Sequence, residues 1–246
     1  MTVHHFFEGA PGAGETLVLS GDEAHHARGP LRLRPGDRLT SGDGDGAVAT
    51  CVVERVAKNE VLARVEDRLV VPRPAPHVVM HISAPKGERL TWAIQKLTEI
   101  GVDSIVLVEA SRSVRRWWTE EQGRRAADRL QKVAREAAKQ SRRAYLPSLG
   151  GPVPWESVVG SYPSQGPLIV LWERAERGLR SELPREIQRP LGLLVGPEGG
   201  IPEEDARAAE KAGAHLASLG PTILRTETAA IVAATLALAA YGRLDR

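Results

Sequence analysis

From His77 onward, short apolar runs alternate with segments that suit a helix, and this alternation constrains the fold more than any other feature of the chain. "HVVMHIS" precedes "RLTWAIQKLTEIG", and "VDSIVLVE" precedes a long basic segment. "PLIVLWE" is followed by "LGLLVGPEGG" with "PEEDARAAEKAG", and "AHLASLG" leads to an apolar tail. A continuous apolar run of strand length has no polar face to turn to water, so it must be covered on both sides. Strands separated by helices run parallel, because the helix returns the chain to the same end of the sheet. An α/β domain with a mostly parallel sheet is expected. Upstream the pattern changes: "TLVLS", "DRLTSGDGDGAVATCVVERVA" with its Gly/Asp-rich turn, and "EVLARVEDRLVV" alternate and read as a small antiparallel β-barrel. "VVPRPAPH" carries three prolines and makes a stiff connector. The expected division is a barrel over 1–72 and the α/β domain over 73–246.

A chain of 246 residues, 42% hydrophobic and 26% charged, can bury two modest cores and is not a disordered one. The first thirty residues carry Glu8, Glu15, Asp22 and Glu23 without a sustained apolar run, so no secretory leader is expected. The alanine-rich stretch 229–241 is too short to span a bilayer, and a cytoplasmic protein is expected. Cys51 is the single cysteine, which excludes an internal disulfide and a cysteine-based zinc cluster; it reads as a buried small apolar residue. The pairs His4–His5 and His25–His26 invite a metal reading. Adjacent strand residues point to opposite faces, however, and no carboxylate or cysteine spacing completes a site, so no metal is expected.

The net charge of +2 decides nothing, but the basic residues are clustered. Arg28, Arg32, Arg34 and Arg38 mark the first domain. The segment 119–141 reads as a helix capped by Thr119, with Glu120 and Glu121 in its first turn. Ala126, Leu130, Ala134, Ala137 and Ala138 share one face at helical spacing, and Arg125, Arg129, Lys132, Lys139 and Arg143 fall on another. Together with the other basic patches, that second face points to a polyanion partner.

Two glycine turns follow apolar strands. In "LGLLVGPEGGIPEED", Gly196 opens the loop at the carboxyl end of a strand, where open α/β sheets place their ligands. Gly199 and Gly200 let backbone approach a ligand closely, and Pro202 with three acids makes a helix first turn. The stretch is neither a dinucleotide fingerprint nor a phosphate loop, and its acids would repel a phosphate; a neutral or cationic ligand fits better. "LGPTILRTETAA" repeats the grammar with Gly220–Pro221, and Thr226 or Thr228 is expected to cap the final helix. That helix is apolar all round, so it must be buried in the core or against a second subunit. Arg225 stands beside the turn, with a capping ion pair to Glu227 as its purely structural alternative.

"IQKLTEIGV", "AAKQSRR", "LVGPEGG" and "LGPTILRTETAA", in this order and spacing, resemble the SPOUT class of S-adenosylmethionine-dependent RNA methyltransferases. Within it the chain resembles the RsmE-type 16S ribosomal RNA uridine N3-methyltransferases, with "LRLRPGD" similar to part of the family's PUA-like amino-terminal barrel. The resemblance implies a deep trefoil knot in the α/β domain, a homodimer, and S-adenosyl-L-methionine held by three loops. Those loops carry Leu171 and Glu173; Gly196, Glu198, Gly199 and Gly200; and Leu219, Gly220, Ile223, Leu224 and Arg225. The implied partner is 16S ribosomal RNA or the small ribosomal subunit.

Uracil N3 must lose its proton before it attacks a methyl carbon, and a cation near O2 or O4 stabilises the resulting anion. Arg225 is the candidate cation, and Glu198 or Glu227 the candidate proton acceptor or orienting group. RNA contacts are expected from Arg32, Arg34, Lys86, Lys96, Arg112 and Arg142, which would hold phosphates. Trp117 and Trp118 either stack on bases or pack internally. The chain departs from the family pattern at Gly29–Pro30, at Lys139 where an acid is common, and in lacking an aromatic before its Asp-Gly turn. These changes bear on RNA docking rather than on cofactor binding. Two other readings stay open from sequence: methylation of another base or of a ribose 2'-hydroxyl, and a non-catalytic ribosome assembly factor.

Overall fold

The computed structural model describes residues 3–85, 87–109, 120–162 and 164–245. The chain divides into two compact units, one of residues 1–73 with Ala138–Leu146, the other of Pro74–Ala137 with Pro147–Arg246. Thr119, Lys86, Arg112, Trp117 and Trp118 lie outside the described residues.

In the first unit, β1 (His4–Phe6), β2 (Thr16–Ser20), β3 (Arg38–Gly42), β4 (Ala47–Val56) and β5 (Glu60–Val70) form a sheet in the order β1-β3-β4-β5-β2. The pairings are antiparallel except β1 with β3, which is parallel and corrects the all-antiparallel expectation. Leu39, Ala49, Cys51, Val53, Val61, Ala63 and Val65 alternate inward and close a core with Phe6 and Leu17. Helix α1 (Gly21–Arg28) adds Ala24 and Ala27 to that core. It also carries His25 and His26, so the strand argument against a metal applies only to His4–His5. The returning segment 138–146 is stitched to the β3–β4 turn: Gly46 N–H donates to Ala144 O (3.1 Å) and Leu146 N–H to Gly44 O (2.9 Å). The Arg73 guanidinium lies 4.6 Å from the Tyr145 ring centroid, and the Tyr145 hydroxyl donates to Val71 O. Lys139 is not a solvated cation on a positive face; its side chain is 13% exposed and its ammonium donates to Glu23 of α1.

In the second unit, β6 (Val78–Ser83), β7 (Ser104–Glu109), β8 (Ser148–Pro154), β9 (Leu168–Leu171), β10 (Leu191–Val195) and β11 (His215–Ala217) form a sheet ordered β11-β9-β10-β6-β7-β8. Every pairing is parallel. Along β9 and β10, Ile169, Leu171, Leu193 and Val195 enter one core, and Leu168, Val170 and Leu194 the other. This is why the runs are continuously apolar. The first core is closed by α2 (Glu88–Ile100), through Leu90, Ala93, Ile94 and Leu97, and by α7 (Thr226–Ala240). Helices α4 (Trp155–Ser161) and α6 (Glu203–Lys211) cover the opposite face. The basic helix is α3 (Glu120–Gln140), and α5 (Leu179–Glu182) is a single turn.

Helix α7 is not buried all round. Thr228, Ile231, Val232, Thr235 and Leu236 form a half-buried stripe along it, while Ala230, Ala233, Ala234 and Ala237 are inside. Its cap is Arg225, whose side chain makes no capping bond; Thr226 is the first helical residue. Beyond the helix, Arg243 ties the chain end to the start of β6: its buried guanidinium pairs with both Asp103 oxygens and donates to Pro76 O (2.9 Å) and Gly101 O (3.0 Å).

Candidate active site

The strand order reverses at β6: the chain first builds toward β8, then toward β11. Parallel sheets leave a crevice at the carboxyl ends of their strands beside such a reversal. Here the ends of β9 and β10 and the segment before α7 enclose a cavity of about 480 Å³. Its wall includes Leu171, Glu173, Gly196, Glu198, Gly199, Gly200, Leu219, Gly220, Ile223, Leu224 and Arg225, every residue assigned to the cofactor from sequence. Arg89, Trp172, Thr222 and Ala229, which sequence reading did not single out, line it as well.

Local chemistry fixes each loop. The Trp172 indole N–H donates to Ile201 O (3.1 Å), tying the loop after β9 to the one after β10. The Thr226 hydroxyl, rather than capping its helix, donates to Gly196 O (3.2 Å) and joins the third loop to the second. A Cβ at Gly196 would fall 2.4 Å from Ile201 Cγ1, so the protein itself requires glycine there. Gly199 differs: a Cβ would meet nothing within 4 Å, and its direction into open space leaves room beside the backbone for a ligand.

The lining charges balance, with Arg89 and Arg225 against Glu173 and Glu198, so the cavity is not built to concentrate phosphate. Arg225 is exposed and makes no ion pair among the described residues; the capping pair with Glu227 is not formed. Instead Glu227 is buried, one oxygen 3.8 Å from Arg89 Nε and the other without a hydrogen-bond partner. Arg89 Nη1 donates to Glu198 Oε1 at 2.7 Å. Arg89 was missed because its partners lie far along the chain. The one available signal was its place in a helix first turn just after a strand and Gly87, the same grammar as the two glycine stretches.

Of the expected RNA contacts, Arg32, Arg34 and Arg142 are exposed in the first unit, with Arg32 and Arg142 at positive φ (53° and 55°). Burial pushes the His5 imidazole down to about 4, and the positive charges of Arg142 and Lys139 add to this. Lys96 sits on α2 with its ammonium 2.8 Å from Glu99 Oε2, so much of its charge is already matched. No helix of the described residues is long and apolar enough to cross a membrane.

The RNA methyltransferase domain profile matches residues 72–238, and the RNA methyltransferase PUA domain profile matches residues 19–66. The ribosomal RNA small subunit methyltransferase E of Mycobacterium bovis is 39% identical over 230 residues, covering 91% of this chain and 86% of that protein. A Legionella pneumophila protein solved in complex with the bound cofactor SAM is 30% identical, covers 98% of both chains and superposes with a TM-score of 0.84. The Neisseria gonorrhoeae ribosomal RNA small subunit methyltransferase E, solved bound to S-adenosyl methionine, is 26% identical with a TM-score of 0.84, covering 97% of this chain and 98% of that one.

Proposed function

Because the chain belongs to the RNA methyltransferase family, we propose that it methylates N3 of a uridine in the 16S RNA of the small ribosomal subunit, using S-adenosyl-L-methionine. The observation that carries this reading is that all three motif loops wall one cavity. Its volume, about 480 Å³, lies in the range of small-molecule sites. The open space beside Gly199 and the carboxylates of Glu173 and Glu198 suit a ligand with an extended body and positive charge. When bound, S-adenosylmethionine supplies an electrophilic methyl group on a sulfonium.

The protein's own side chains do the rest. Gly196, Gly199, Gly200, Leu219, Gly220, Ile223 and Leu224 shape the ligand's bed, with Leu171 and Glu173 on the β9 side. Arg225, exposed and unpaired among the described residues, is positioned by its helix start to meet charge that develops on a uracil oxygen. Glu198 receives the N3 proton, since it lines the cavity and Glu227 does not. Arg32, Arg34 and Arg142 bind phosphates, the role suited to exposed arginines on the unit that carries the PUA match.

The same reading includes a closed amino-terminal barrel, a trefoil knot, a homodimer and a cytoplasmic location. Support for the knot comes from the chain end. Ser218 exchanges backbone hydrogen bonds with Arg177 and Leu179, Thr226 then bonds Gly196, and α7 returns to pack on β6, β10 and α2. Support for the dimer comes from the half-buried apolar stripe of α7.

Calorimetric titration with S-adenosylmethionine and its demethylated product is the first test. Methyl transfer to small subunits and to bare 16S RNA follows, with the modified nucleotide mapped by mass spectrometry. Tight binding and a methyl on uracil N3 are expected. A methyl on a ribose 2'-hydroxyl would overturn the N3 assignment, and absence of binding would overturn the enzyme reading.

A further inference from the structure

The functional reading leaves Arg89 and Glu227 without a task, yet they form one chain of contacts ending at the candidate proton acceptor. Arg89 comes from the first turn of α2, Glu227 from the first turn of α7, and Glu198 from the loop after β10. The guanidinium reaches Glu198 Oε1 at 2.7 Å through Nη1 and Glu227 Oε1 at 3.8 Å through Nε. It makes no other hydrogen bond or ion pair among the described residues. Glu198 Oε2 keeps no protein partner among the described residues, so one carboxylate oxygen is held and the other left open.

Three considerations separate positioning from the alternatives. The cluster of one guanidinium and two carboxylates carries a formal charge of −1, so Arg89 is poorly placed to stabilise an anionic nucleobase itself. Its side chain is 44% exposed, and an ion pair of that exposure adds little to stability, which weakens a merely structural account. Burying the Glu227 carboxylate, by contrast, is costly and needs a compensating task. Glu198 sits between Pro197 and Gly199–Gly200, a backbone that by itself does little to fix a side chain.

We propose that Arg89 is a positioning residue for this reaction: braced by the buried carboxylate of Glu227, it holds the Glu198 carboxylate so that its open oxygen can take the N3 proton. The proposal rests on the functional reading above. The arrangement follows the logic by which an enzyme's base is oriented by a second group and that group by a third. Arginine suits the middle place because its planar fork offers separate donors to two carboxylates.

The test uses the full chain as wild type and as Arg89→Met, Arg89→Lys and Glu227→Gln. Thermal melting, calorimetric affinity for S-adenosylmethionine, and kcat and KM for transfer to small-subunit RNA are measured for each. A crystal structure of Arg89→Met shows where Glu198 goes. For Arg89→Met, kcat should fall on the order of 100-fold, the scale of a lost general base, and by clearly more than KM or cofactor affinity changes. Glu198 should leave its wild-type position. Arg89→Lys should recover part of the loss, and Glu227→Gln, close in shape, should lower kcat by roughly 10-fold. If Arg89→Met fails to fold, the Lys and Gln variants decide. Wild-type kcat in all three variants, or a loss confined to KM or to melting temperature, overturns the positioning role. A wild-type protein that binds the cofactor but leaves uracil N3 unmethylated overturns the functional reading, and this inference with it.

Discussion

Gly196 and Gly199 stand three residues apart in one loop and answer to different demands, which makes them a paired test of the cavity. At Gly196 an added Cβ lands 2.4 Å from Ile201 Cγ1 and 3.0 Å from its Cδ1, so Ile201 must move. Overpacking of this kind costs about 1–3 kcal/mol. In a chain of this length each kcal/mol is roughly 2–4 °C, so Gly196→Ala should melt at least a few degrees below wild type. At Gly199 the backbone φ is not positive and the added atom meets nothing, so Gly199→Val should melt within about 0.5 kcal/mol of wild type. The ligand response should reverse this order. At a hundred times its dissociation constant, S-adenosylmethionine should stabilise the wild type by about 2.7 kcal/mol, roughly 5–10 °C. An isopropyl group in the space beside Gly199 should weaken binding at least about tenfold, which cuts that stabilisation to about 1.4 kcal/mol at the same concentration. Melting with and without ligand, backed by calorimetry, reads both effects. Wild-type affinity in Gly199→Val would mean that the cofactor does not occupy this space, and the cavity assignment would fall.

Arg225→Ala should lower kcat by at least about 100-fold, the scale of a lost charge-stabilising donor, while light scattering shows the same oligomer; near-normal turnover would remove Arg225 from the reaction. Arg243→Met leaves the Asp103 carboxylate buried without its partner and should cost about 3–5 kcal/mol in urea unfolding; an unchanged midpoint would show that the clamp is dispensable. Burial lowers His81 from 6.5 to about 4, so between those values the unfolded chain binds more protons than the folded one. Stability from this residue is full above pH 6.5 and is lost as pH falls toward 4, by up to about 3 kcal/mol. His81→Phe should flatten that part of the pH–stability curve, and an equally steep curve would place the acid sensitivity elsewhere.

The strands of the second unit were legible because a two-sided core leaves no polar positions: "LIVL" and "LGLLV" match β9 and β10 with each residue buried. The loop chemistry was legible for a related reason, since glycines after an apolar run advertise backbone that must turn and approach something. Strand β8 was not legible. "SLGGPVP" has the composition of a loop, and it lies on the sheet edge, where proline's missing N–H costs no ladder bond. The parallel β1–β3 pairing was hidden because sequence spacing says nothing about which strand a three-residue segment will join. Arg89 was hidden for the same cause on a larger scale: 109 residues separate it from Glu198, and only the order of the sheet brings them within hydrogen-bond distance. The half-buried stripe of α7 could not be read either, since an all-apolar helix gives no pattern by which to choose its outward face.

The segment before α7 supplies the third wall of the cavity, and α7 itself packs on the two central strands and on α2. A nascent chain that has emerged only through α6 therefore carries both earlier loops and no complete pocket. Contacts of such long sequence separation form late, after the loop-closure entropy of the intervening chain has been overcome. Competence to bind the methyl donor is thus acquired only when the segment before α7 has docked, in the same event that completes the cover of this face of the sheet. A chain arrested before residue 226 would leave uncovered the part of that face on β6 and β10 against which α7 packs, and the flank of α2 beside it. Quality control acting on exposed hydrophobic surface would in this way also remove chains whose pocket lacks its third wall.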